Sequence, residues 1–343
     1  MYQREFKKKI RIGIVGTGSH MYRNLLPACH YLPIEIVAMC NRSKEKLAQT
    51  IREYRCAGYT STVEMYKHED LDAVIISVSP QQHPALTEEA LSYGLHVFME
   101  KPPAMRAYEI EDMMRQQGDR VVAVGFKKAF TPAAVKIREI LHERERTPLL
   151  SVLGVYPMTM PENGKEVLEN REFTNWLGNG CHPLSMLLSC AGSVRSVTTH
   201  RGKSGQGCVV LGFENGVMGT LHLAQEPEPM ESYHFYGGQW SADVLNSDHV
   251  ILHRGIPFDY AYTNTFAPEG DSSGSIVWRP QNCLATLENK SLFVQGMVEE
   301  LHTFCQAVLG VEPLQEYASL KFALQVMRVY EAAILSDGKS IEI

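Results

Sequence analysis

Short apolar strands alternate with helical patterns through the first third of the chain, and this alternation restricts the fold more than any other feature. Continuous apolar runs, typical of strands buried on both faces, occur at Ile10–Val15, Ile34–Cys40, 72–78, His96–Glu100 and 121–125. Parallel neighbours need long crossover connections, and a helical pattern fills each gap. The first 125 residues therefore predict an α/β domain with a doubly wound parallel sheet, the Rossmann architecture.

The rest of the chain follows a different pattern. Strand patterns joined by short turns occur at 149–156, 194–201, 207–214, 217–224, 231–237 and 250–254. Amphipathic helical patterns occupy 292–309 and 320–335, and two irregular stretches, 156–176 and 256–281, separate elements. We expect the second stretch to cover an active site or a neighbouring subunit. With 343 residues, the chain is long enough for two domains.

Composition excludes several classes of protein. An apolar content of 44% and a charged content of 21% are typical of a globular protein, and the net charge of −6 offers no basic surface for nucleic acid or anionic membrane. The sequence has neither a signal peptide nor an apolar stretch that could span a bilayer. We therefore expect a cytoplasmic protein without nucleic-acid or membrane partners.

Metal and disulfide chemistry are not predicted. The eight cysteines form no Cys-x-x-Cys pair, which favours buried, reduced thiols. His249 and His253 flank an apolar strand pattern, so they would lie roughly 13 Å apart, too far to share a metal ion.

A glycine-bearing turn follows the first strand. Gly16 permits a tight turn, Gly18 lets the backbone approach a pyrophosphate, and Ser19 and His20 open a helix whose free N–H groups attract it. Met21 occupies the third glycine position of the dinucleotide-binding fingerprint. The alternative is an ordinary strand-to-helix turn.

The second strand ends in Asn41-Arg42-Ser43, where NAD-binding domains usually carry an acidic residue for the ribose hydroxyls. Asn41 removes a charge that would repel a 2′-phosphate, and Arg42 and Ser43 can donate hydrogen bonds to it. We predict that NADP is preferred over NAD. The alternative is that Arg42 stacks on the adenine and either cofactor binds.

Lys101 stands where the strand His96–Glu100 ends, in the sequence Glu100-Lys101-Pro102-Pro103. Ligands of open parallel sheets bind outside the carboxyl ends of the strands, so Lys101 would face whatever the glycine turn holds. The two prolines restrict the backbone after it. Alone, this pattern favours a solvated lysine at a strand exit.

Taken together and in order, several motifs resemble the Gfo/Idh/MocA oxidoreductase family, which includes glucose–fructose oxidoreductase and inositol dehydrogenase. The motifs of the first half are the Gly16/Gly18 turn, His83 after the third strand, Glu100-Lys101-Pro102 and Val124-Gly125-Phe126-Lys127-Lys128. Those of the second half are Gly180-Cys181-His182-Pro183-Leu184 and the ending Gly338-Lys339-Ser340-Ile341-Glu342-Ile343. The resemblance covers essentially the whole chain.

The resemblance implies a fold and an activity. Residues 1–126 would form the Rossmann domain, and residues 127–343 a substrate-binding and oligomerisation α/β domain with a large, mostly antiparallel open sheet. Substrate would lie between the domains, and the far face of that sheet would make homodimer or homotetramer contacts. The expected reaction is NAD(P)-dependent hydride transfer at a secondary hydroxyl or ketone of a carbohydrate-like small molecule: a sugar, cyclitol or glycoside.

The resemblance also implies site residues. Lys101 and His182 would share the acid/base and hydroxyl-positioning roles. The expected cofactor-binding residues are Gly16, Gly18, Ser19, His20, Asn41, Arg42, Ser43, Ser79, Pro80, His83, Glu100 and Lys101. The expected substrate-binding residues are Lys128, Tyr156, Trp176, Asn179 and His182.

Two positions depart from the family pattern. Many family dehydrogenases carry aspartates four residues before and three residues after the histidine, and here these positions are Gly178 and Ser185. The loss favours a substrate class other than inositol, including glycosides oxidised for a partner enzyme. It also leaves open a non-catalytic NAD(P)-binding sensor of the same fold, or a structural protein with a vestigial cleft.

Overall fold

The computed structural model describes residues 6–144, 147–254, 274–279 and 290–343. By packing, these residues divide into two compact units. The first comprises Met1–Phe130, Arg171–Phe173 and Asn289–Met327, and the second comprises Thr131–Asn170, Thr174–Glu288 and Arg328–Ile343.

The elements are numbered in chain order. The strands are β1 (Ile10–Val15), β2 (Ile34–Cys40), β3 (Ala57–Tyr59), β4 (Ala73–Ile76), β5 (His96–Glu100), β6 (Val122–Gly125), β7 (Leu149–Pro157), β8 (Val194–Arg201), β9 (Gly207–Phe213), β10 (Met218–Ala224), β11 (Ser232–Gly237), β12 (Trp240–Leu245), β13 (His249–Arg254), β14 (Gly274–Trp278) and β15 (Ile341–Glu342). The α-helices are α1 (Leu26–Cys29), α2 (Lys44–Tyr54), α3 (Thr62–His68), α4 (His83–Ser92), α5 (Ala107–Gln116), α6 (Pro132–Glu143), α7 (Gly164–Glu169), α8 (Asn175–Ala191), α9 (Lys290–Val294), α10 (Met297–Val308) and α11 (Leu320–Leu335).

The first unit contains the doubly wound parallel sheet that the sequence predicts. Its strand order is β3-β2-β1-β4-β5-β6, and each neighbouring pair is parallel. Strands β1 and β4 are almost wholly buried, as their continuous apolar runs predict. The strand order changes direction between β1 and β4. This position is the topological switch point, where such sheets bind ligands.

Helix α10 packs with the first unit although it comes late in the chain. It lies against β5 and β6, and the rings of Phe98 and Phe304 meet edge to face with centroids 5.8 Å apart. The sequence predicts one helix over 292–309, but the structure has α9 and α10 separated at Gly296, whose φ of +81° interrupts the helix.

The second unit contains a nine-stranded sheet in the order β14-β13-β12-β11-β7-β10-β9-β8-β15. Neighbours are antiparallel except β7 and β10, which confirms the mostly antiparallel sheet. Helix α8 packs against β7 on one face, and the hydroxyl of Thr174 caps its first turn by accepting from Leu177 N–H.

Some second-unit elements were not predicted. Helix α7 lies within the stretch expected to be irregular over 156–176, and β12 was missed although buried Trp240, Ala242 and Val244 alternate with half-buried residues. Strand β14 lies within 256–281, and the other residues of that stretch, apart from 279, lie outside the described residues. Whether this stretch covers an active site stays a prediction.

The functional division into 1–126 and 127–343 also stays a prediction. The packing units follow a different line, since the first unit extends to Phe130 and takes in Asn289–Met327. None of the described helices is both long enough and apolar enough to cross a bilayer.

Candidate active site

The glycine turn after β1 has the form that a bound pyrophosphate requires. Gly16 has φ of +90°, and a Cβ atom there would lie 2.3 Å from the carbonyl oxygen of Ser77, so only glycine fits. A Cβ atom at Gly18 would meet no atom within 4 Å, which leaves open space beside its backbone. Ser19 and His20 then begin the helical segment. This arrangement fits a dinucleotide phosphate at a helix N-terminus.

His20 links the glycine turn to the end of β5. Its Nδ1 lies 3.0 Å from Asn24 Nδ2, so it accepts this hydrogen bond and the neutral ring carries its proton on Nε2. Nε2 lies 3.0 Å from Oε1 of the buried Glu100, within ion-pair distance but outside hydrogen-bond geometry. His20 and Glu100 therefore face each other, and their contact with a cofactor stays a prediction.

His83 holds the backbone beside Lys101. Its side chain is wholly buried, Val78 N–H donates to Nε2 over 3.4 Å, and Nδ1 lies 2.8 Å from the carbonyl oxygen of Pro102. Since Nε2 accepts, Nδ1 carries the proton and donates to Pro102. Burial lowers the pKa of His83 to about 4 and keeps the ring neutral. The contact of His83 with the cofactor stays a prediction; in this structure both ring nitrogens bond to the backbone, so His83 acts as a positioning residue.

The segment after Lys101 is fixed from its other side as well. The Lys101–Pro102 peptide bond is cis. Farther on, Oε2 of Glu109 accepts from the backbone N–H groups of Met105 and Arg106, at 3.0 and 2.9 Å. The Arg171 guanidinium donates to the other oxygen of Glu109. Lys101 is thus followed by a backbone that hydrogen bonds hold at Pro102, Met105 and Arg106.

At the end of β2, only one of the three predicted ribose-binding side chains is open to a ligand. Asn41 Nδ2 donates to Thr17 Oγ1 over 2.6 Å, and Asn41 Oδ1 accepts from Ser43 N–H over 2.9 Å. The Ser43 hydroxyl caps α2 and donates to Glu45. Arg42 is exposed, and no hydrogen bond or ion pair joins its side chain to the other described residues.

Ser79 and Pro80 lie in the turn between β4 and α4. Gln82 Nε2 donates to the exposed Ser79 hydroxyl over 3.1 Å, and Pro80 is buried. Their contact with a cofactor stays a prediction.

Sequence reasoning missed two charged residues of the first unit, Glu300 and Lys127. Glu300 on α10 is wholly buried, and neither carboxyl oxygen has a hydrogen-bond partner in the described part of the chain. Burial raises its pKa well above the usual range, and the charge of Glu100 adds to this effect, while Lys127 and Lys101 oppose it. Burial and the neighbouring Lys128 lower the pKa of Lys127, whose Nζ donates to Gln295 Oε1 over 2.8 Å.

A sequence signal for Glu300 existed. Met297, Leu301 and Phe304 are buried on one face of α10, and position 300 belongs to that same face because side chains three and four apart lie side by side. A glutamate at a core position is unusual enough to identify a candidate site.

In the second unit, α8 places His182 beside Tyr156 of β7. Their ring centroids lie 6.5 Å apart, and both side chains are half-buried. Burial and the charge of Glu231 raise the pKa of Tyr156, so its hydroxyl stays protonated. The pair can offer hydrogen bonds to a polar ligand.

Glu231, which sequence reasoning also missed, supplies the carboxylate near this pair. It is buried, and it accepts hydrogen bonds from Tyr233 Oη over 3.1 Å and from Ser247 Oγ over 2.7 Å. No periodic or motif signal distinguishes it, because it precedes β11 in a turn.

The positions of the two missing aspartates carry no carboxylate. Gly178 is buried, and the buried Ser185 hydroxyl donates to the carbonyl oxygen of His182 within the same helix, over 3.0 Å. Neither can orient the imidazole as an aspartate would.

Trp176, predicted to bind substrate, packs in the interior. Its ring is wholly buried, stacks on Tyr330 with centroids 6.4 Å apart, and its Nε1–H donates to the Tyr330 carbonyl. Its contact with substrate stays a prediction, and the ring belongs to a helix that is buried around most of its circumference.

The other two predicted substrate residues remain accessible. Asn179 is exposed and donates to Asn175 Oδ1 over 2.6 Å, and Lys128 is half-buried in the first unit. Their contact with substrate stays a prediction. In the described residues, no three His, Cys, Asp or Glu side chains are grouped so as to hold a metal ion.

Comparison with known proteins supports the resemblance. Residues 10–126 match the Gfo/Idh/MocA family model, described as an oxidoreductase family with an NAD-binding Rossmann fold. A dTDP-3,4-didehydro-2,6-dideoxy-alpha-D-glucose 3-reductase from Streptomyces violaceoruber is 30% identical over 141 residues, which cover 40% of this chain and 41% of that protein. Inositol 2-dehydrogenase from Salmonella typhimurium is 26% identical over 161 residues, covering 45% and 48%. The matches thus span less than half the length of these relatives.

Solved structures share the fold over nearly the whole chain. A dehydrogenase from Chromobacterium violaceum has a TM-score of 0.80 at 23% identity, covering 96% of this chain and 95% of that one. An oxidoreductase from Agrobacterium radiobacter in complex with NAD+ has a TM-score of 0.79 at 15% identity, covering 98% of both chains. A 3-ketoreductase from Actinomadura kijaniata in complex with TDP-benzene and NADP has a TM-score of 0.70 at 16% identity, covering 95% and 97%.

The family resemblance predicted from the sequence is therefore confirmed, and the match that carries it lies in the first unit. Residues 10–126 are similar to the Gfo/Idh/MocA oxidoreductase family, whose model describes an NAD-binding Rossmann fold.

Proposed function

We propose that the protein is an NAD(P)-dependent oxidoreductase that transfers a hydride between nicotinamide and a secondary hydroxyl or ketone of a sugar, cyclitol or glycoside. In this proposal, residues 1–126 bind the cofactor, and residues 127–343 bind the substrate and another copy of the chain.

The observation that carries the proposal is the bonded setting of Lys101. The lysine follows β5 at the carboxyl edge of a sheet whose first turn is shaped for a pyrophosphate. His83 fixes the next carbonyl, that of Pro102, from the interior. A lysine with only a solvent role needs no such support.

The chain's own residues supply the proton chemistry. When bound, nicotinamide would donate or accept the hydride. Reduction of a ketone needs a proton at the carbonyl oxygen, and oxidation of an alcohol needs that proton removed. We assign this proton to Lys101 Nζ, and we assign His182 to hydroxyl positioning with Tyr156 beside it.

The relatives favour a carbohydrate-like substrate. The Streptomyces relative is named as a reductase of a keto-sugar nucleotide and the Salmonella relative as a cyclitol dehydrogenase. Since Gly178 and Ser185 replace the expected carboxylates, we favour a sugar derivative over free inositol. Glycosides remain a variant that the same screen tests.

For the cofactor, we propose NADP as preferred and NAD as the alternative. Arg42 is exposed and open to a 2′-phosphate. The charge of Glu45 opposes binding of a 2′-phosphate. Hydrogen bonds to its own backbone and to Ser43 lower the pKa of Glu45 and keep a negative charge in the first turn of α2. The preference depends on which of these charges lies nearer to the ribose.

The test is a spectrophotometric screen of keto-sugar nucleotides, sugars, glycosides and cyclitols with NADPH and NADH. Substitutions Lys101→Ala and His182→Ala should each lower turnover of the identified substrate by about 100-fold or more. Matched controls are Lys165→Ala and His68→Ala, which alter exposed residues of the same types. Wild-type turnover in both active-site variants would refute the mechanism.

The second candidate is a non-catalytic NAD(P)-binding sensor, and Gly178 is the observation that favours it. Such a protein would bind the cofactor without any substrate-dependent change in nicotinamide absorbance. A single substrate that produces this change would eliminate the sensor.

A further inference from the structure

A carboxylic acid is buried in the first unit without the partners that buried charges normally have. Glu300 is wholly buried, and both its oxygens lack hydrogen bonds in the described part of the chain. Buried ionisable side chains are usually paired, and an unpaired one generally carries a function or stays neutral.

Helix α10, which carries Glu300, packs against the strand that precedes the candidate catalytic lysine. The helix lies against β5, β6 and the 3-10 turn Lys127–Phe130, and Gln295, just before it, accepts from Lys127 Nζ over 2.8 Å. At the ends of these strands, Glu100 pairs with Gly125, where a Cβ atom would lie 3.3 Å from Glu100 Oε1. The glycine thus leaves room for the Glu100 carboxylate.

Four ionisable groups therefore act on one another: the acids Glu100 and Glu300 and the bases Lys101 and Lys127. Lys128 follows on the same turn and acts on Lys127. On α1, burial raises the pKa of Cys29 to about 12 and keeps that thiol neutral. Glu316, in the 3-10 turn that also contacts α10, is exposed to solvent.

The two acids have different surroundings. Glu100 faces His20 Nε2 and accepts from Lys101 N–H over 3.2 Å, so it has polar neighbours. Glu300 has no such donors among the described residues. When two carboxyl groups interact in the interior, the one with fewer donors retains the proton.

We propose that Glu300 is a positioning residue for Lys101, on which it acts electrostatically as a buried acid without hydrogen-bond partners among the described residues, carried by a helix that packs against β5. The role of Lys101 in proton transfer rests on the proposed function. The coupling between Glu300 and Lys101 is a property of the first unit alone and is measurable without turnover.

The physical consequence concerns proton transfer. A second ionised carboxylate near Lys101 would hold the ammonium proton and resist its transfer to a ketone oxygen. A neutral Glu300 leaves Glu100 to balance the cluster and leaves the lysine free to exchange its proton. At alkaline pH, ionisation of Glu300 would add that second charge and retain the proton on Lys101.

Infrared spectroscopy of the full chain tests the protonation directly. At pH 7, exposed carboxyl groups are ionised, so a carboxylic-acid C=O stretch should report Glu300, and it should be absent in Glu300→Gln. The control Glu299→Gln alters the neighbouring, half-exposed glutamate and should leave the band unchanged. Absence of the band in the wild-type protein at pH 7 would overturn the proposal, as would its survival in Glu300→Gln.

The same carboxylic-acid band tests the coupling between Glu300 and Lys101. This test does not depend on whether a Glu300 variant folds, because it uses Lys101→Met. In Lys101→Met, loss of the positive charge should let the acid band persist to higher pH than in the wild type, by on the order of one pH unit. Lys165→Met is the control. If the band disappears at the same pH in the wild type and in Lys101→Met, Glu300 does not sense the lysine and the proposal fails.

A pH profile then connects the coupling to catalysis. Once a substrate is known, Glu300→Gln should shift the alkaline limb of the turnover profile, whereas Glu299→Gln should not. If no substrate is found, the infrared results still decide the coupling, so failure of the proposed function and failure of this inference remain distinguishable.

Discussion

At the scale of single residues, His83 is a buried link between two backbone segments. Its ring joins Val78 N–H to the Pro102 carbonyl, and it must be neutral to do so. Protonation would give Nε2 a hydrogen that faces the Val78 N–H donor. The hydrogen-bonded link between the end of β4 and the segment after Lys101 therefore depends on pH.

This dependence predicts acid destabilisation of known sign. The pKa of His83 is about 4 in the folded protein and 6.5 in the unfolded chain, so the unfolded chain binds the proton first as pH falls. The contribution is complete above about pH 6.5 and declines toward pH 4, by about 3 kcal/mol in all.

Urea unfolding at a series of pH values measures this effect. His83→Gln should be less stable than the wild type at pH 7, by about 1–3 kcal/mol, because buried backbone groups lose a partner. It should also lose less stability between pH 6.5 and 4. Equal acid sensitivity of the wild type and the variant would contradict the assignment, and His68→Gln, at an exposed site, is the control.

Arg42 makes a prediction about cofactor choice. Arg42→Ala should weaken NADPH binding about tenfold, because a charge-assisted pair with the 2′-phosphate is lost, and should change NADH binding little. Arg52→Ala, at another exposed position of the same region, should change neither. Equal weakening of both cofactors would instead indicate that Arg42 stacks on the adenine.

Residue roles were predictable where a residue type has one local reason to be present. Gly16 was such a case, because a tight turn after a strand is visible in sequence, whereas the role of Lys101 stays a prediction. Trp176 and Glu300 were not, because their roles depend on which helix face is buried. That choice is made by tertiary packing.

At the scale of elements, the turn from β1 into the first helix separates folding from binding. Gly16 is enclosed by Ser77, and Gly18 faces open space. We therefore expect Gly16 to matter for folding and Gly18 to matter for cofactor binding.

Substitution by alanine should separate these roles. Gly16→Ala should destabilise the protein by about 2 kcal/mol or more, because the methyl group meets a carbonyl oxygen at positive φ. Gly18→Ala should change stability by less than about 1 kcal/mol and weaken cofactor binding about tenfold. Thermal unfolding and cofactor titration measure the two effects, and a large stability loss in Gly18→Ala would contradict this assignment.

Elements with a clear hydrophobic pattern were predicted well. The continuous apolar run of β5, for example, has the predicted bounds, His96–Glu100. The division between α9 and α10 was missed, since one glycine within an amphipathic pattern does not reveal whether its φ is positive. Strand β12 was missed although every second residue is apolar and buried, and pairing with β11 and β13 fixes its place in the sheet.

At the scale of the whole molecule, one face of the second sheet carries exposed side chains in the described part of the chain. Register places Met218, Ser151 and Tyr236 side by side on one face, opposite to buried Val152 and Phe235. Exposed apolar side chains on this face, Met218 at 52% and Tyr236 at 43%, support the proposal that it binds another copy of the chain.

Charges placed on this face should dissociate the oligomer. The double substitution Met218→Asp and Tyr236→Asp should reduce the molar mass measured by light scattering to that of one chain, because buried carboxylates without partners oppose association. Val311→Asp, at an exposed apolar residue of the first unit, should leave the mass unchanged. An unchanged mass in the double variant would place the interface elsewhere.

The central claim is that the first unit binds a nicotinamide dinucleotide across its glycine turn. Titration of the wild-type protein with NADPH and NADH, followed by energy transfer from protein to nicotinamide, tests it most directly. We expect both cofactors to bind saturably, with NADPH binding more tightly than NADH, and we expect Gly18→Ala to weaken this binding. Tighter NADH binding would overturn the cofactor preference alone, whereas no binding of either cofactor would contradict the proposed oxidoreductase itself.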